Sequence, residues 1–195
     1  QARSPQLMGF VQKRYPRASR GDIASETATL PPMNAGAVIG HHGFAVQRSG
    51  WRDLIRVWRV QRAIFLEDAY DPLTLLGLAL NPAGFRLHAV VNGDVVGFLA
   101  CETSFRDGAA WIVMVGTHPQ FWGRGIATAL IGAAEREMIR RASRIKLTVR
   151  RGNIRAIGLY ERLGYQHMST TRRYYNDGED GLIMEKSLRG PKIDV

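Results

Sequence analysis

The chain has 195 residues, of which 45% are hydrophobic and 23% charged, values that exclude disordered and fibrous proteins and favour one well-packed domain over two. A formal net charge of +10 predicts an anionic partner, which could be nucleic acid, a phosphorylated cofactor, a ribosomal surface or an acidic peptide. The longest apolar stretch, residues 73–80, is much shorter than the roughly 18 to 20 residues of a membrane-spanning helix, so we expect no integral membrane protein. Because Cys101 is the single cysteine, we expect no internal disulfide and a reducing, cytoplasmic location.

The sequence divides into three unequal parts. Residues 1–43 mix Gly, Pro, Ser and Arg with little periodicity, which predicts a poorly structured basic N-terminal extension. This segment holds five Lys or Arg against two Asp or Glu, so most of the positive charge lies in the rest of the chain, which weakens a nucleic-acid interpretation. We expect one domain over residues 44–188 and a short C-terminal tail over 189–195.

The domain is predicted to begin with a short strand at 44–46, a turn at 49–50 and a helix. Apolar residues at three- and four-residue spacing predict the inner face of this helix, and arginines lie between them. The apolar positions are Trp51, Leu54, Ile55, Trp58 and Phe65, and the arginines are Arg52, Arg56, Arg59 and Arg62. A surface helix with a solvated arginine face explains this pattern better than a nucleic-acid probe. A second, shorter helix is predicted near 72–80.

Two β-branched-rich runs, 87–91 and 95–101, are joined by Asn92-Gly93, a pair that tolerates positive φ and therefore predicts an antiparallel hairpin. A third strand is predicted over 110–117. Cys101 lies inside the second run, which favours a small core residue over a nucleophile.

The segment after the third strand has the order strand, glycine-rich loop, helix. Gly123 and Gly125 allow the backbone to turn tightly and to aim several amide N–H groups and a helix N-terminus at one anion, such as a pyrophosphate. The helix is predicted from an apolar stripe at Ile126, Leu130, Ala134 and Met138. Alone, such a glycine pair is equally well explained by a tight turn or by helix packing on a sheet.

The last third predicts a strand, a helix and a further strand. Residues 144–150 alternate as a half-buried strand does, with Ile145, Leu147 and Val149 on one face and Lys146, Thr148 and Arg150 on the other. Asn153 is a good N-cap for a helix whose inner face includes Tyr160, and Gly164 supplies a left-handed stop before a strand from Tyr165 onwards.

These residues resemble the GNAT superfamily of N-acetyltransferases. The run Trp122-Gly123-Arg124-Gly125-Ile126-Ala127 is similar to the acetyl-CoA motif Arg/Gln-x-x-Gly-x-Gly/Ala, except that Trp122 replaces the usual Arg or Gln. Residues 149–165 look like the second half of a GNAT domain. Arg172-Arg173-Tyr174-Tyr175, followed by residues 179–184, resembles the C-terminal strands of the RimI-like ribosomal-protein alanine N-acetyltransferases.

The resemblance implies an α/β (α+β) fold in which a mixed, mostly antiparallel sheet splays at the CoA site and is flanked by helices. It implies acetyl-CoA as co-substrate and Tyr174 and Tyr175 at the border of a peptide groove. The implied cofactor-binding residues are Val115, Gly116 and Thr117 along the acetyl-pantetheine arm, Gly123, Arg124, Gly125, Ile126, Ala127 and Thr128 on the pyrophosphate, and Asn153 near the middle of the cofactor. Asn153 is also explained as a helix cap alone.

In this family the amine attacks the thioester directly, a main-chain amide steadies the oxyanion, and a tyrosine, here Tyr160, protonates the departing thiolate. The alternative for Tyr160 is a core aromatic. The glutamate that serves the family as general base corresponds to Thr148, which accepts no proton at neutral pH. Glu102 or His118 could replace it through water, although each is also explained as a surface or strand-end residue.

The missing carboxylate favours an α-amine as acceptor. An α-amine with a pKa near 7.7 to 8.0 is about one-fifth neutral around pH 7.3, whereas a lysine near 10.4 is neutral in about one molecule per thousand. We therefore expect the acceptor to be the N-terminus of a protein or peptide, which could be ribosomal. Two alternatives stay open: a small-molecule acceptor such as an aminoglycoside or polyamine, and a catalytically silent module that binds acyl-CoA. We predict no metal, because His41, His42, His88 and His167 lack ligand spacing.

Overall fold

The computed structural model describes residues 38–40, 43–65, 73, 75–77, 84–104 and 107–189. Eight strands form one mixed sheet in the order β1-β2-β3-β4-β5-β6-β8-β7. The strands are β1 (Val38–Gly40), β2 (Phe44–Arg48), β3 (Gly84–Val91), β4 (Asp94–Thr103), β5 (Ala110–Thr117), β6 (Arg144–Arg150), β7 (Gln166–Thr171) and β8 (Gly181–Ser187). The helices are α1 (Leu54–Phe65), α2 (Ile126–Met138) and α3 (Ile154–Arg162), with 3-10 turns at Trp51–Asp53 and Pro119–Phe121.

All neighbouring strands are antiparallel except β5 and β6, which are parallel. The predicted fold class is confirmed by this mixed, mostly antiparallel sheet with helices on its faces. The sheet begins before Phe44, because the unpredicted strand β1 pairs with β2 from Val38 opposite Val46 to Gly40 opposite Phe44. Residues 1–37 and 41–42 of the predicted N-terminal extension and residues 190–195 of the predicted tail lie outside the described residues.

The predicted hairpin of β3 and β4 is confirmed. Asn92 and Gly93 both have positive φ, 49° and 87°, and they join Val91 to its partner Asp94. Only glycine, asparagine and aspartate adopt this conformation readily, so these two residues fix the pairs nearest the turn, Val91 with Asp94 and Val90 with Val95. The register then shifts by one residue, because Ala89 pairs with Gly97.

Helix α2 covers one face of the sheet with the stripe that its sequence predicts. Its residues Ile126, Leu130, Ala134 and Met138 are all buried in one cluster with the inner faces of the strands. Each fully buried side chain of the size of leucine contributes roughly 1.5–3 kcal/mol to stability. Ala156 and Tyr160 of α3 belong to the same cluster, so α2 and α3 share this face.

Helix α1 covers the opposite face, and its predicted inner stripe is wrong in part. The buried residues are Val57, Gln61 and Ile64, whereas the predicted Trp51 and Ile55 are 69% and 64% exposed. Positions 57, 61 and 64 form a stripe free of arginine, and the helix turns this stripe toward the sheet because burying an unpaired guanidinium costs far more than exposing one isoleucine.

The remaining predictions for this region are partly outside the described residues. Leu54 and Trp58 are half-buried and pack against the core under α1, as predicted, and the Phe65 side chain lies outside the described part. Of the second predicted helix, Leu73 and residues 75–77 are helical and Leu75 is buried. Among the helices that the structure describes, none is long and apolar enough to cross a membrane.

Candidate active site

Strands β5 and β6 separate along part of their length. Their parallel pairing joins Ala110 to Ile145, Trp111 to Lys146 and Ile112 to Leu147, and it ends there. The rest of β5, residues 113–117, therefore presents an edge of main-chain groups that β6 does not pair. An unpaired strand edge inside a sheet is a natural binding surface for the amide groups of an extended ligand.

A β-bulge in β5 marks the start of this opening. Ala100 pairs with Met114 and Cys101 pairs with Ile112, which leaves Val113 without a partner on β4. The extra residue reverses the side-chain alternation, so Ile112 lies in the core under α2 and Met114 in the core under α1. Because bulges bend a strand and re-aim its backbone, this one turns the main chain at the point where the two strands separate.

The three predicted pantetheine residues lie at the end of β5, beyond the bulge. Val115 is half-buried and packs toward the core under α2. A Cβ on Gly116 would lie 2.9 Å from Cζ of Phe98, so only glycine fits there. Thr117 is 8% exposed, and its Oγ1 is buried without a hydrogen-bond partner in the described structure. The end of β5 thus consists of a half-buried valine, a glycine packed against Phe98 and a threonine with a buried hydroxyl.

The glycine-rich loop has the conformation that an anion site requires. Gly123 and Gly125 have φ of 79° and 78°, and a Cβ on Gly123 would meet nothing within 4 Å. Glycine is needed at 123 by backbone conformation and not by lack of space. Gly125 caps α2 without a side-chain hydrogen bond, and the first turn carries no acidic residue. The N–H groups of Ile126, Ala127 and Thr128 therefore have no capping side chain, an arrangement that fits a pyrophosphate.

Trp122, the residue that departs from the motif, contacts both the end of β5 and the start of α3. Its Nε1–H donates to the Thr117 main-chain oxygen at 2.7 Å, which closes the loop onto the end of β5. The guanidinium carbon of Arg155, from the first turn of α3, lies 4.2 Å from the centroid of its ring. Within the same loop, the guanidinium carbon of Arg124 lies 5.0 Å from the centroid of Phe121.

Helix α3 begins at the predicted cap. Oδ1 of Asn153 accepts the Ala156 N–H at 3.1 Å, which confirms the capping role. The predicted contact of Asn153 with the cofactor remains a prediction. The helix ends where predicted, because Gly164 has a φ of 88°.

Tyr160 lies on the inner face of α3 and is 4% exposed. Its ring centroid is 5.9 Å from that of Tyr165. Burial raises the pKa of the Tyr160 hydroxyl above its ordinary value of 10.0, so this group remains protonated at neutral pH. A buried phenol that keeps its proton can act as a proton donor, and it also fits the alternative of a core aromatic.

The two predicted acceptor residues differ in accessibility. Tyr175 is 3% exposed, and burial raises the pKa of its hydroxyl. Tyr174 is half-buried and meets Tyr175 edge to face, with 5.0 Å between ring centroids. A Cβ on Gly181 would lie 2.8 Å from Cγ2 of Thr148 and 2.9 Å from Cγ of Tyr174. Tyr174 and Thr148, the position of the family base, therefore converge on Gly181.

The prediction for Arg150, like those for Trp51 and Ile55, is wrong. Arg150 was predicted on the polar face of its strand, yet it is 3% exposed. Its Nη1 donates to carboxylate oxygens of Asp177 at 2.8 Å and Glu179 at 2.7 Å. Glu179 also accepts the Gly152 N–H at 2.7 Å, so the loop after β7 is bound to the loop before α3. A buried guanidinium requires such carboxylates, and the acidic cluster at 177–180 was the available signal in the sequence.

The two predicted base candidates lie at different ends of β5. Glu102 pairs with Trp111, where β5 and β6 are still joined, whereas the residues opposite the opening are 97–100 of β4. His118 follows β5 directly, and its buried Nδ1 has no hydrogen-bond partner in the described structure. Neither arrangement identifies a base by itself.

Cys101 is a core residue, as predicted. It is 1% exposed, and burial, together with the nearby Glu102 carboxylate, raises the pKa of its thiol to about 12. A thiol with this pKa supplies almost no thiolate at neutral pH and is no nucleophile. Within the part of the chain that the structure describes, no three His, Cys, Asp or Glu side chains cluster as metal ligands.

Comparison with a protein-family model identifies the family of this chain. The model of the acetyltransferase (GNAT) family matches residues 37–165, more than half of the 195-residue chain. The chain belongs to the acetyltransferase (GNAT) family, and its activity is acetyl-CoA-dependent N-acetyl transfer.

Solved structures of other N-acetyltransferases have the same fold. The ribosomal-protein-S18-alanine N-acetyltransferase from Escherichia coli matches with a TM-score of 0.68 and 22% identity, over 78% of this chain and 98% of that chain. NAA60 from Arabidopsis thaliana in complex with acetyl-CoA matches with 0.66 and 19%, over 75% and 99%. An aminoglycoside 6'-N-acetyltransferase complexed with coenzyme A matches with 0.65 and 14%, over 74% and 97%. At these identities the likeness shows the fold and does not choose an acceptor.

Proposed function

We propose that this protein acetylates the N-terminal α-amine of a protein or peptide, by direct attack of the amine on acetyl-CoA in a ternary complex. The observation that carries the proposal is the pair Thr148 and Tyr174 at Gly181, where an aromatic ring borders the position of the family base and that position holds no carboxylate. An amine that is already partly deprotonated at neutral pH can react at a site that has no carboxylate at this position.

Protonation equilibria decide between an α-amine and a lysine side chain. Their pKa values differ by about 2.5 units, which corresponds to roughly 3 to 3.5 kcal/mol more to deprotonate the lysine. Without a carboxylate at 148, this extra free energy of deprotonation adds to the activation barrier for acetylating a lysine. A peptide N-terminus is therefore acetylated readily, and an ordinary lysine is acetylated slowly.

In this proposal the protein binds acetyl-CoA and transfers protons, and acetyl-CoA supplies the acetyl thioester. The N–H groups at the start of α2 and the loop at Gly123 and Gly125 would hold the pyrophosphate, and the open edge of β5 would bind the pantetheine amides. A main-chain N–H of that edge would face the acetyl oxygen as negative charge develops on it.

The reaction forms one carbon–nitrogen bond and breaks one carbon–sulfur bond, and a proton leaves the amine while another reaches the thiolate. The amine nitrogen bonds to the acetyl carbon, the carbon–sulfur bond breaks, and the Tyr160 hydroxyl gives its proton to the departing thiolate. The nitrogen loses a proton, and in this proposal water molecules carry it to Glu102 of strand β4, which lies beyond the point where β5 and β6 separate. Tyr160 then regains a proton from solvent.

The acceptor groove lies beside the loop that follows β7. The half-buried Tyr174 is the accessible member of the tyrosine pair, since Tyr175 is buried. The likeness of residues 172–184 to the RimI-like pattern supports a small first residue such as Ala, and a ribosomal protein as one acceptor of this kind.

Mass spectrometry of a peptide mixture tests the proposal. Peptides with free N-termini and internal lysines are incubated with the protein and acetyl-CoA, and the products are mapped by fragmentation. One added acetyl on the α-amine is the expected result, and varying the first residue then measures the preference. Acetylated internal lysines, or acetylation of an aminoglycoside or polyamine in place of peptides, would overturn it.

A further inference from the structure

The GNAT motif begins with Arg or Gln, and this chain has Trp122 there. The single donor of the indole, its Nε1–H, is already bound to the Thr117 main-chain oxygen, so Trp122 offers a phosphate no hydrogen bond of its own. Arg124 is the cation that remains within the loop itself, and it lies against Phe121.

A second arginine reaches the same loop from α3. The guanidinium carbon of Arg155 lies 4.2 Å from the centroid of the Trp122 ring, within the range of a cation–π contact. Trp122 is itself held by the hydrogen bond from its Nε1–H to the Thr117 main-chain oxygen at 2.7 Å. The exposed Arg155 is therefore held against a fixed ring at the mouth of the loop.

The stacked guanidinium keeps its charge and its donors. None of the carboxylates in the described part of the chain forms an ion pair with Arg155, whereas its neighbours Arg150 and Arg151 both have acidic partners. A guanidinium that contacts an aromatic ring through its face keeps its N–H groups in the guanidinium plane, where they can donate to two oxygens of a phosphate. The contact with Trp122 also reduces the rotamer freedom that binding would remove.

We propose that Arg155 binds a phosphate group of CoA and that Trp122 positions it, so that together they replace the Arg or Gln of the family motif. The proposal rests on the acetyl-CoA-dependent activity of the family. The phosphate belongs either to the pyrophosphate or to the 3'-phosphate of CoA, and both have the same chemistry.

Calorimetric titration with CoA tests this assignment in four proteins: the unchanged chain, Arg155→Gln, Trp122→Arg and the double variant. Arg155→Gln is expected to raise the Kd for CoA roughly tenfold, the usual effect of losing a charge-assisted hydrogen bond. Trp122→Arg restores the family residue, so the double variant is expected to recover most of the lost affinity. In a chain that still has Arg155, Trp122→Arg is expected to change the Kd little.

Arg162→Gln is the matched control, because Arg162 is an exposed arginine in the last turn of the same helix. It removes the same charge from α3 and is expected to leave the Kd within about twofold. Titration with dephospho-CoA identifies the phosphate: a defect that persists points to the pyrophosphate, and a defect that disappears points to the 3'-phosphate.

Two results would overturn the assignment. One is an unchanged Kd in Arg155→Gln while the unchanged chain binds CoA. The other is an equal loss of affinity in Arg155→Gln and Arg162→Gln, which would mean that the net charge of α3 matters and the stacked position does not. A failure of the peptide acetylation test alone leaves this inference standing, since it concerns the acceptor.

Discussion

The guanidinium carbon of Arg150 lies 4.1 Å from the ring centroid of Tyr175, while its Nη1 donates to Glu179 at 2.7 Å. Arg150 ends β6, and the other two residues belong to the loop that carries Tyr174. One side chain thus joins strand β6, which borders the opening beside β5, to the loop proposed to border the acceptor.

Replacing Arg150 with Met is expected to raise the acceptor KM by about tenfold and to leave the KM for acetyl-CoA nearly unchanged, because the loop loses its anchor. The same change is expected to destabilise the fold by about 2 kcal/mol, since it removes charge-assisted hydrogen bonds. Asp177→Asn is the control: its carboxylate is 53% exposed, and such pairs contribute little. Equal rises of both KM values in Arg150→Met would show a general loss of structure in place of loop positioning.

Tyr160→Phe tests proton donation, since it removes only the hydroxyl. We expect kcat to fall roughly a hundredfold, with the acceptor KM unchanged and the melting temperature within a few degrees. A thioester with a more acidic leaving thiol should recover much of the lost rate. If Tyr160 is only a core aromatic, kcat will stay within about twofold and the choice of thioester will not matter.

Glu102→Gln tests the proposed route for the amine proton. Because an α-amine with a pKa near 7.7 to 8.0 is partly neutral already, the loss in kcat/KM is expected to be about tenfold at pH 6.5 and to shrink as pH rises above 8. Initial rates with one peptide across this range measure the effect. A deficit that is constant at all pH values would contradict a role in deprotonation.

Gly123→Ala tests the backbone of the glycine-rich loop that is proposed to hold the pyrophosphate. At a φ of 79° an alanine is strained even though the space is open, so we expect a loss of about 1 kcal/mol in stability and a higher Kd for CoA. Gly132→Ala is the matched control, because Gly132 lies inside α2, where its Cβ would be 3.5 Å from Nη1 of Arg136. There alanine should stabilise the protein by about 0.5–1 kcal/mol. Similar effects of both substitutions would show that the loop does not need its left-handed conformation.

A pH-dependent contribution to stability is expected from Asp107. Partial burial raises the pKa of its carboxyl, but hydrogen bonds from Nζ of Lys146 at 2.7 Å and the Ala109 N–H outweigh this effect and lower the pKa from 3.8 to about 2. A lowered folded-state pKa stabilises the fold above the unfolded value, and that stability is lost as pH falls through about 2. Because the Asp107 side chain is 30% exposed, solvent screens its charge and reduces this contribution to stability.

Asp107→Asn should therefore destabilise the protein by about 1 kcal/mol at pH 7 and by almost nothing at pH 2. Urea unfolding of both proteins at the two pH values measures the difference. An equal loss at both values would mean that the carboxylate charge contributes nothing and that only the side-chain shape matters.

Local sequence determined those elements that depend on neighbouring residues. Asn92-Gly93 forms the predicted hairpin, Asn153 caps α3, and the stripe from Ile126 to Met138 is the buried face of α2. Positive φ, capping hydrogen bonds and helical periodicity all act over a few residues, so one stretch of chain contains the whole cause. The glycine-rich loop that resembles the family motif is likewise determined by residues that are neighbours in the sequence.

Only the tertiary structure decided relationships between residues that are far apart in sequence. Whether Arg150 is exposed or buried depends on acids 27 and 29 residues away, and the stack of Arg155 on Trp122 joins two separate helix starts. The face that α1 buries was also set by the sheet, because Trp51 and Ile55 satisfy the same apolar spacing as the residues that the sheet covers. Whether a side chain is buried depends on the surface that packs against it as well as on its own segment of the chain. A periodic apolar pattern does not say which surface that is.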